Sequence, residues 1–198
     1  MLLLLLMPAS RPQELKYILP TFLKTAKKLQ LRYPSLVVYI PSCRRVFDGK
    51  FRKGLEKYEI KGKVISQQYD SELMPYIYSL TKLALCKSGT VNMELALYGV
   101  PQIVGYRVSR VTAFIAKKIL NFKVRFISPV NLLVKKLIIA EFVQKNFNEK
   151  KIFYKACRLL DMTSEKAKIK KGYILLKKEL GEEGVVNRAA KEIINSII

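Results

Sequence analysis

The chain has 198 residues, half of them hydrophobic, and carries 37 Lys and Arg against 15 Asp and Glu, a net charge of +22. It is long enough for one domain with a real core and too apolar for a disordered chain. It contains no histidine, which excludes a Ser-His-Asp triad or a His-ligated zinc site built from this chain.

The charge has two readings. It suits a polyanionic partner such as nucleic acid, an anionic membrane or a phosphorylated ligand, or it reflects lysines that solvate helix faces along the whole chain. There is no arginine-rich stripe and no nucleic-acid motif. Cys43, Cys86 and Cys157 are far apart and lack metal-ligand spacing, so they are expected to pack as small hydrophobes in a reducing compartment. The opening MLLLLLM is short, has no basic residue before it and stops at Pro8, which favours a buried strand over a signal peptide. A chain that opens on a buried strand looks cut from something longer. No stretch approaches the roughly 20 apolar residues that span a bilayer.

In chain order, the first expected strand is Leu2–Met7, broken by Pro8-Ala9-Ser10-Arg11-Pro12. Apolar residues at helical spacing then run over Gln13–Gln30, where Pro20 marks a kink or a late start. Leu36–Ile40 reads as a strand, Phe47–Tyr58 as a weak and very basic helix, and Lys63–Ser66 as a third short strand. Ser71–Leu80 is helical, Leu83–Cys86 a fourth strand, Val91–Tyr98 a helix and Gln102–Tyr106 a fifth strand. Thr112–Leu120 is an amphipathic helix and Phe126–Ile127 a very short sixth strand. Helical stretches follow near 139–146, 148–160 and 164–180, and Val185–Ile198 closes as a helix after the Gly181 and Gly184 break. Strands that alternate with helices predict an α/β fold, a Rossmann-like parallel sheet flanked by helices, in which ligands bind outside the carboxyl ends of the strands.

At such an end lies LCKSGTVNMELALYGVPQIVGYR, residues 85–107. Ser88-Gly89-Thr90 sits between a strand and a helix, where unpaired N–H groups and the helix dipole favour phosphate. A plain turn with Thr90 as helix cap is the other reading. Glu94 has Val91, Met93, Leu95, Ala96 and Leu97 around it, a costly setting for an unpaired carboxylate. Its two oxygens suit the two hydroxyls of a ribose; otherwise it is a first-turn acid pointing to water. Arg11, in the loop after the first strand, is either a phosphate clamp or a solvated charge.

These segments carry a resemblance. A Ser/Gly turn followed by a glutamate-bearing helix looks like the donor-nucleotide motif of GT-B glycosyltransferases. PASRPQELKYILPTFLKTAKKL resembles the PGSR-x-x-E loop and following helix of lipid-A-disaccharide synthases. SGTVNMELALYGVPQIVGYRVSRVTAFIAKKIL is similar to that family's core block, FISPVNLL and AEFVQ follow in its order, and GEEGVVNRAAKEI resembles its C-terminal helix.

The resemblance implies a hexosyltransferase of lipid A biosynthesis. It moves 2,3-diacylglucosamine from UDP to 2,3-diacylglucosamine 1-phosphate, forming the lipid A disaccharide and releasing UDP, without metal or other cofactor. Residues 1–198 would be the UDP-sugar-binding C-terminal domain, with 185–198 as a C-terminal crossover helix. An acceptor domain holding the general base would lie outside the chain, which alone would be inactive. By resemblance Ser10, Arg11, Ser88, Gly89 and Thr90 lie near the diphosphate, Glu94 holds the ribose, and Tyr106 and Arg107 line the same cleft. Asn131, Glu141 and Gln144 fall on further signature positions of the donor site. The implied partners are the UDP-sugar and lipid A precursor, an anionic membrane surface, and a separate N-terminal half or a second copy, but no nucleic acid. The implied location is cytoplasmic, peripheral at the inner membrane, or an organelle in a eukaryote.

Departures from the family pattern are Ala9 for the glycine of PGSR, which would be strained at a positive φ, and Val134-Lys135-Lys136 where NLLAGR is usual. The alternatives are half of another UDP-sugar enzyme of this fold, or a non-catalytic basic module that binds membrane or nucleic acid.

Overall fold

The computed structural model describes residues 2–42, 44–66, 73–109, 125–182 and 184–196. The expected helix over 112–120, and Cys43, lie outside them. The sheet has six parallel strands: β1 (Leu2–Met7), β2 (Leu36–Ser42), β3 (Gly62–Ser66), β4 (Thr81–Lys87), β5 (Gln102–Tyr106) and β6 (Ala140–Val143), in the order β3-β2-β1-β4-β5-β6. Leu4 pairs with Val38 on one side and Leu83 on the other, which makes β1 a central strand. Such a strand is covered on both faces, and this explains its unbroken leucines: Leu3 to Leu6 are buried.

The helices are α1 (Pro12–Arg32), α2 (Asp48–Lys57, after a single 3₁₀ turn), α3 (Leu73–Leu80), α4 (Val91–Leu97), α5 (Pro129–Val134), α6 (Glu149–Asp161), α7 (Thr163–Leu180) and α8 (Val185–Asn195). Helix α1 packs against α6, while α4, α5 and α7 pack together. Pro12 opens α1, and the helix continues through an exposed Pro20 to Arg32. None of the described helices is long and apolar enough to cross a membrane.

Two expectations are corrected. Residues 126–127 are not a strand, and the sixth strand is Ala140–Val143, inside the stretch read as helical. In four residues neither period is distinct, and the choice is made by pairing with β5, Ile103 beside Ala140 through Tyr106 beside Val143. The short helix α5 was also not anticipated; Pro129 starts it and Ser128 caps it by accepting from the Asn131 amide.

Ala9 is absent from the positive-φ residues, so the strain expected there does not arise. Lys135 does adopt φ 55°, at the C-terminus of α5. The family's glycine at this position therefore has a conformational reason, and the lysine is strained. Cys86 and Cys157 are buried free thiols, as expected of small hydrophobes. Helix α8 is exposed at each residue whose burial is described, including Val186, Ile193 and Ile194.

Candidate functional site

The sheet order reverses between β1 and β4, which stay paired to Met7 and Cys86, and the loops that leave their carboxyl ends flank a crevice. A cavity of about 290 Å³ occupies it. One wall is the turn after β1, Met7 to Ser10; the other is Lys87 to Val91 after β4, with Glu94 from α4. Five predicted residues thus meet in one cavity: Ser10, Ser88, Gly89, Thr90 and Glu94. Arg11 and Tyr106 line an adjoining groove with Glu14, Leu132 and Phe126, and this groove shares Lys87 and Ser88 with the cavity.

The β4–α4 turn is held from below by Asn92, which is fully buried. Its Oδ1 accepts from the Gly89 amide at 2.9 Å, and its Nδ2 donates to the Lys87 carbonyl at 3.2 Å and to Gln102 Oε1 at 3.1 Å. Gln102 Nε2 in turn donates to the Asn92 carbonyl and the Tyr173 hydroxyl, which donates to the Val100 carbonyl. Buried and fully paired, this network fixes the turn. Burial pushes the Tyr173 phenol and the Cys86 thiol well above their ordinary values, so both stay neutral. The Gly89 amide is therefore not among the free donors assumed for an anion. Gly89 has an ordinary φ, and a Cβ there would meet nothing within 4 Å. Neither conformation nor packing within the chain requires glycine at this position, and the space above it is open. Thr90 makes no side-chain capping bond, which removes the plain-cap reading of its hydroxyl.

On the other side, Ser88 Oγ donates to the Ile127 carbonyl. The loop bearing Ile127 hangs on Glu141. The Glu141 carboxylate accepts from Ile127 N at 2.8 Å, Ser128 N at 3.0 Å, Ser128 Oγ at 2.7 Å and Asn131 Nδ2 at 2.7 Å. Asn131 is fully buried, and its Oδ1 accepts from the Ile138 and Ile139 amides. Arg107 donates from Nη2 to the carbonyls of Gln144 and Phe147 and stacks over the Phe147 ring at 5.5 Å. Gln144 itself sits at φ 50° in the turn that Arg107 clasps. The structure thus places Asn131, Glu141 and Gln144 away from the cavity lining, in bonds that hold its neighbouring loops, whereas Arg107 also lines a further groove with Arg11, Glu14 and Tyr106.

Glu94 was expected among apolar neighbours that would demand a partner, yet it is exposed. Helix α4 turns Asn92, Leu95 and Ala96 to the core and leaves Glu94 at the mouth of the cavity.

Lys87 is the residue sequence reasoning missed. Its Nζ lies 2.9 Å from Glu14 Oε2, with the two side chains only 19% and 13% exposed. This ion pair is partly withdrawn from water, so it is screened less than a surface pair, and it places a cation where cavity and groove join. The available signal was its position, immediately before Ser88 at the end of an apolar strand.

The family profile of lipid-A-disaccharide synthetase matches residues 2–197. The lipid-A-disaccharide synthase of Prochlorococcus marinus (strain MIT 9313) is 47% identical over 193 residues, covering 98% of this chain and 49% of that protein. That of Gloeothece citriformis (strain PCC 7424) is 36% identical, covering 97% of this chain and 49% of that protein. The chain spans about half the length of these curated relatives. Among solved structures, the S. aureus MnaA–UDP co-structure superposes with a TM-score of 0.65 at 14% identity, covering 99% of this chain and 45% of that one. The C-terminal CMP-Kdo binding domain of WaaA from Acinetobacter baumannii gives 0.54 at 11% identity, covering 88% of this chain and 89% of that one. These two establish the fold, a Rossmann-like domain of the GT-B type. With the profile matched almost end to end and close relatives covering nearly all of its length, the chain belongs to the lipid-A-disaccharide synthase family.

Proposed function

We propose that residues 1–198 form the donor-binding half of a lipid-A-disaccharide synthase. In the whole enzyme, 2,3-diacylglucosamine passes from UDP to 2,3-diacylglucosamine 1-phosphate and UDP departs. The observation that carries this reading is the cavity between β1 and β4, where an open glycine turn faces Ser10 and a carboxylate stands at the mouth. The two hydroxyls of the uridine ribose donate hydrogen bonds to the Glu94 carboxylate. The diphosphate lies along Ser10, Ser88, Gly89 and Thr90, with Arg11 and Lys87 as counter-charges from the groove side. Tyr106 borders that groove, and Arg107 lines the next one together with Tyr106 and Arg11, whereas Asn131, Glu141 and Gln144 serve the donor indirectly by holding loops.

The general base and the acceptor site belong to a second half, carried on a separate chain or a longer one, and α8 with Val186, Ile193 and Ile194 docks against it. The net charge of +22 supports work at an anionic membrane surface, on the cytoplasmic side where the substrates are acylated and anionic.

The test is calorimetric titration of UDP into the folded chain and its Glu94→Ala variant. Micromolar to millimolar binding is expected, weakened by about tenfold or more in the variant, the scale of a charge-assisted hydrogen-bond pair. A folded chain that takes up no UDP, or a variant that binds it equally well, refutes the assignment. Salt-dependent binding to oligonucleotides with indifference to UDP would support the non-catalytic basic module instead.

A further inference from the structure

One buried polar group, packed against the C-terminal end of α4, lacks a well-formed hydrogen bond. Tyr78, on α3, is only 1% exposed, and its hydroxyl makes no hydrogen bond of ordinary geometry among the described residues, although the Glu94 carboxylate is close enough to act on it through its charge and a loose hydrogen bond. Its ring packs on that of Tyr98, with centroids 5.1 Å apart. Tyr98 lies one turn beyond Glu94, its amide donating to the Glu94 carbonyl at 3.1 Å. The two rings thereby fix Tyr78 beside the stretch of α4 that carries Glu94. Burial first, then the neighbouring Glu94 charge and a loose hydrogen bond to its carboxylate, push the phenol well above its ordinary value, so it keeps its proton and remains a donor.

A buried hydroxyl left unpaired is unfavourable, and phenylalanine would fill the same space without it. Glu94 is exposed, and a carboxylate has about four acceptor sites, of which a diol uses two. We propose that Tyr78 is a positioning residue for Glu94: its hydroxyl donates to the carboxylate when a ribose diol occupies the cavity, holding the rotamer that faces the ligand. This rests on the donor-site reading above and deepens it, making ribose selectivity a property of the Tyr78–Glu94 pair. It also accounts for the hydroxyl's position, because a ligand that draws Glu94 inward turns a loose contact into a full hydrogen bond.

The test compares UDP with 2′-deoxy-UDP by calorimetry on the wild-type chain, Tyr78→Phe, Glu94→Ala and the double variant. Wild type is expected to prefer UDP. Tyr78→Phe is expected to melt no lower than wild type, to lose about fivefold in UDP affinity and to discriminate less against the deoxy ligand. In the Glu94→Ala background, Tyr78→Phe should change nothing further. Unaltered binding of both ligands by Tyr78→Phe overturns the assignment and leaves the donor site standing. So does a loss that persists without Glu94, or a lowered melting temperature, which would show the hydroxyl already paired in the free chain. Failure of wild type to bind UDP at all removes the donor site and this role together.

Discussion

Replacing Glu141 separates a residue that holds a loop from one that touches the donor. Its carboxylate accepts four hydrogen bonds, from Ile127 N, Ser128 N, Ser128 Oγ and Asn131 Nδ2. Glu141→Ala leaves all four donors without their acceptor. Hydrogen bonds to a charged group are worth about 1.5–3 kcal/mol each, but the site is only half-buried and water replaces part of that. A net loss of about 3–5 kcal/mol follows, within the stability of an ordinary domain. For a chain of this length it lowers the melting temperature by roughly 10 °C. Glu141→Gln is milder: an amide nitrogen cannot accept from Ile127 N, so about 1–3 kcal/mol is lost. The loop also carries the Ile127 carbonyl that accepts from Ser88, so UDP affinity should fall in step with stability. Urea or thermal melts, paired with UDP titration of each variant, read both effects. A Glu141→Ala chain that melts within about a degree of wild type would refute the four-bond description. One that keeps its stability and loses UDP would show the carboxylate touching the donor instead.

Two further outcomes are expected. Lys135→Gly relieves the left-handed strain at the end of α5 and should raise stability by about 1 kcal/mol, a melting shift of about 2–4 °C, with UDP binding unchanged. An unchanged or lower melting temperature would count against the strain. Glu165 is buried on α7 within reach of Lys155 at 2.6 Å, Arg158 at 2.8 Å and Lys168 at 3.6 Å. The Lys155 hydrogen bond chiefly holds its carboxyl below the ordinary value of 4.5. A lowered native value means that the stabilisation is complete above the unfolded value and is lost as pH falls through the native one. Glu165→Gln should therefore melt lower than wild type at neutral pH, with the two curves converging below about pH 4.5. Parallel curves across that range would contradict the assignment. Asp161 and Glu149 are shifted in the same direction, so the variant keeps some acid sensitivity.

Much of the architecture is legible in the chain because each signal is local and strong. Five leucines between Met1 and Met7, stopped by Pro8, favour a strand covered on both faces, and β5 lies at Gln102–Tyr106 as its composition predicts. Helices α1, α6 and α7 follow from apolar spacing within a residue or two of their ends. The Ser88-Gly89-Thr90 turn and the Ser10 loop declare themselves by type and position, and the fold joins them in one cavity. Other features depend on atoms distant in the chain. Ala140–Val143 becomes a strand because β5 offers it an edge, a pairing that four residues cannot announce. Glu94 is exposed because Asn92 and Leu95 claim the inward face of α4. Asn131 and Glu141 fall among the expected site residues, yet the neighbours that meet them assign them to a loop. Lys87 and Glu14 lie 73 positions apart and form a pair only because β1 and β4 are adjacent. The sequence by itself determined the elements and the chemistry available at the ends of the strands. Only the tertiary structure decided which of those groups face the cavity and which are consumed in holding it open, because hydrogen bonds and burial are set by distances that separation along the chain does not encode.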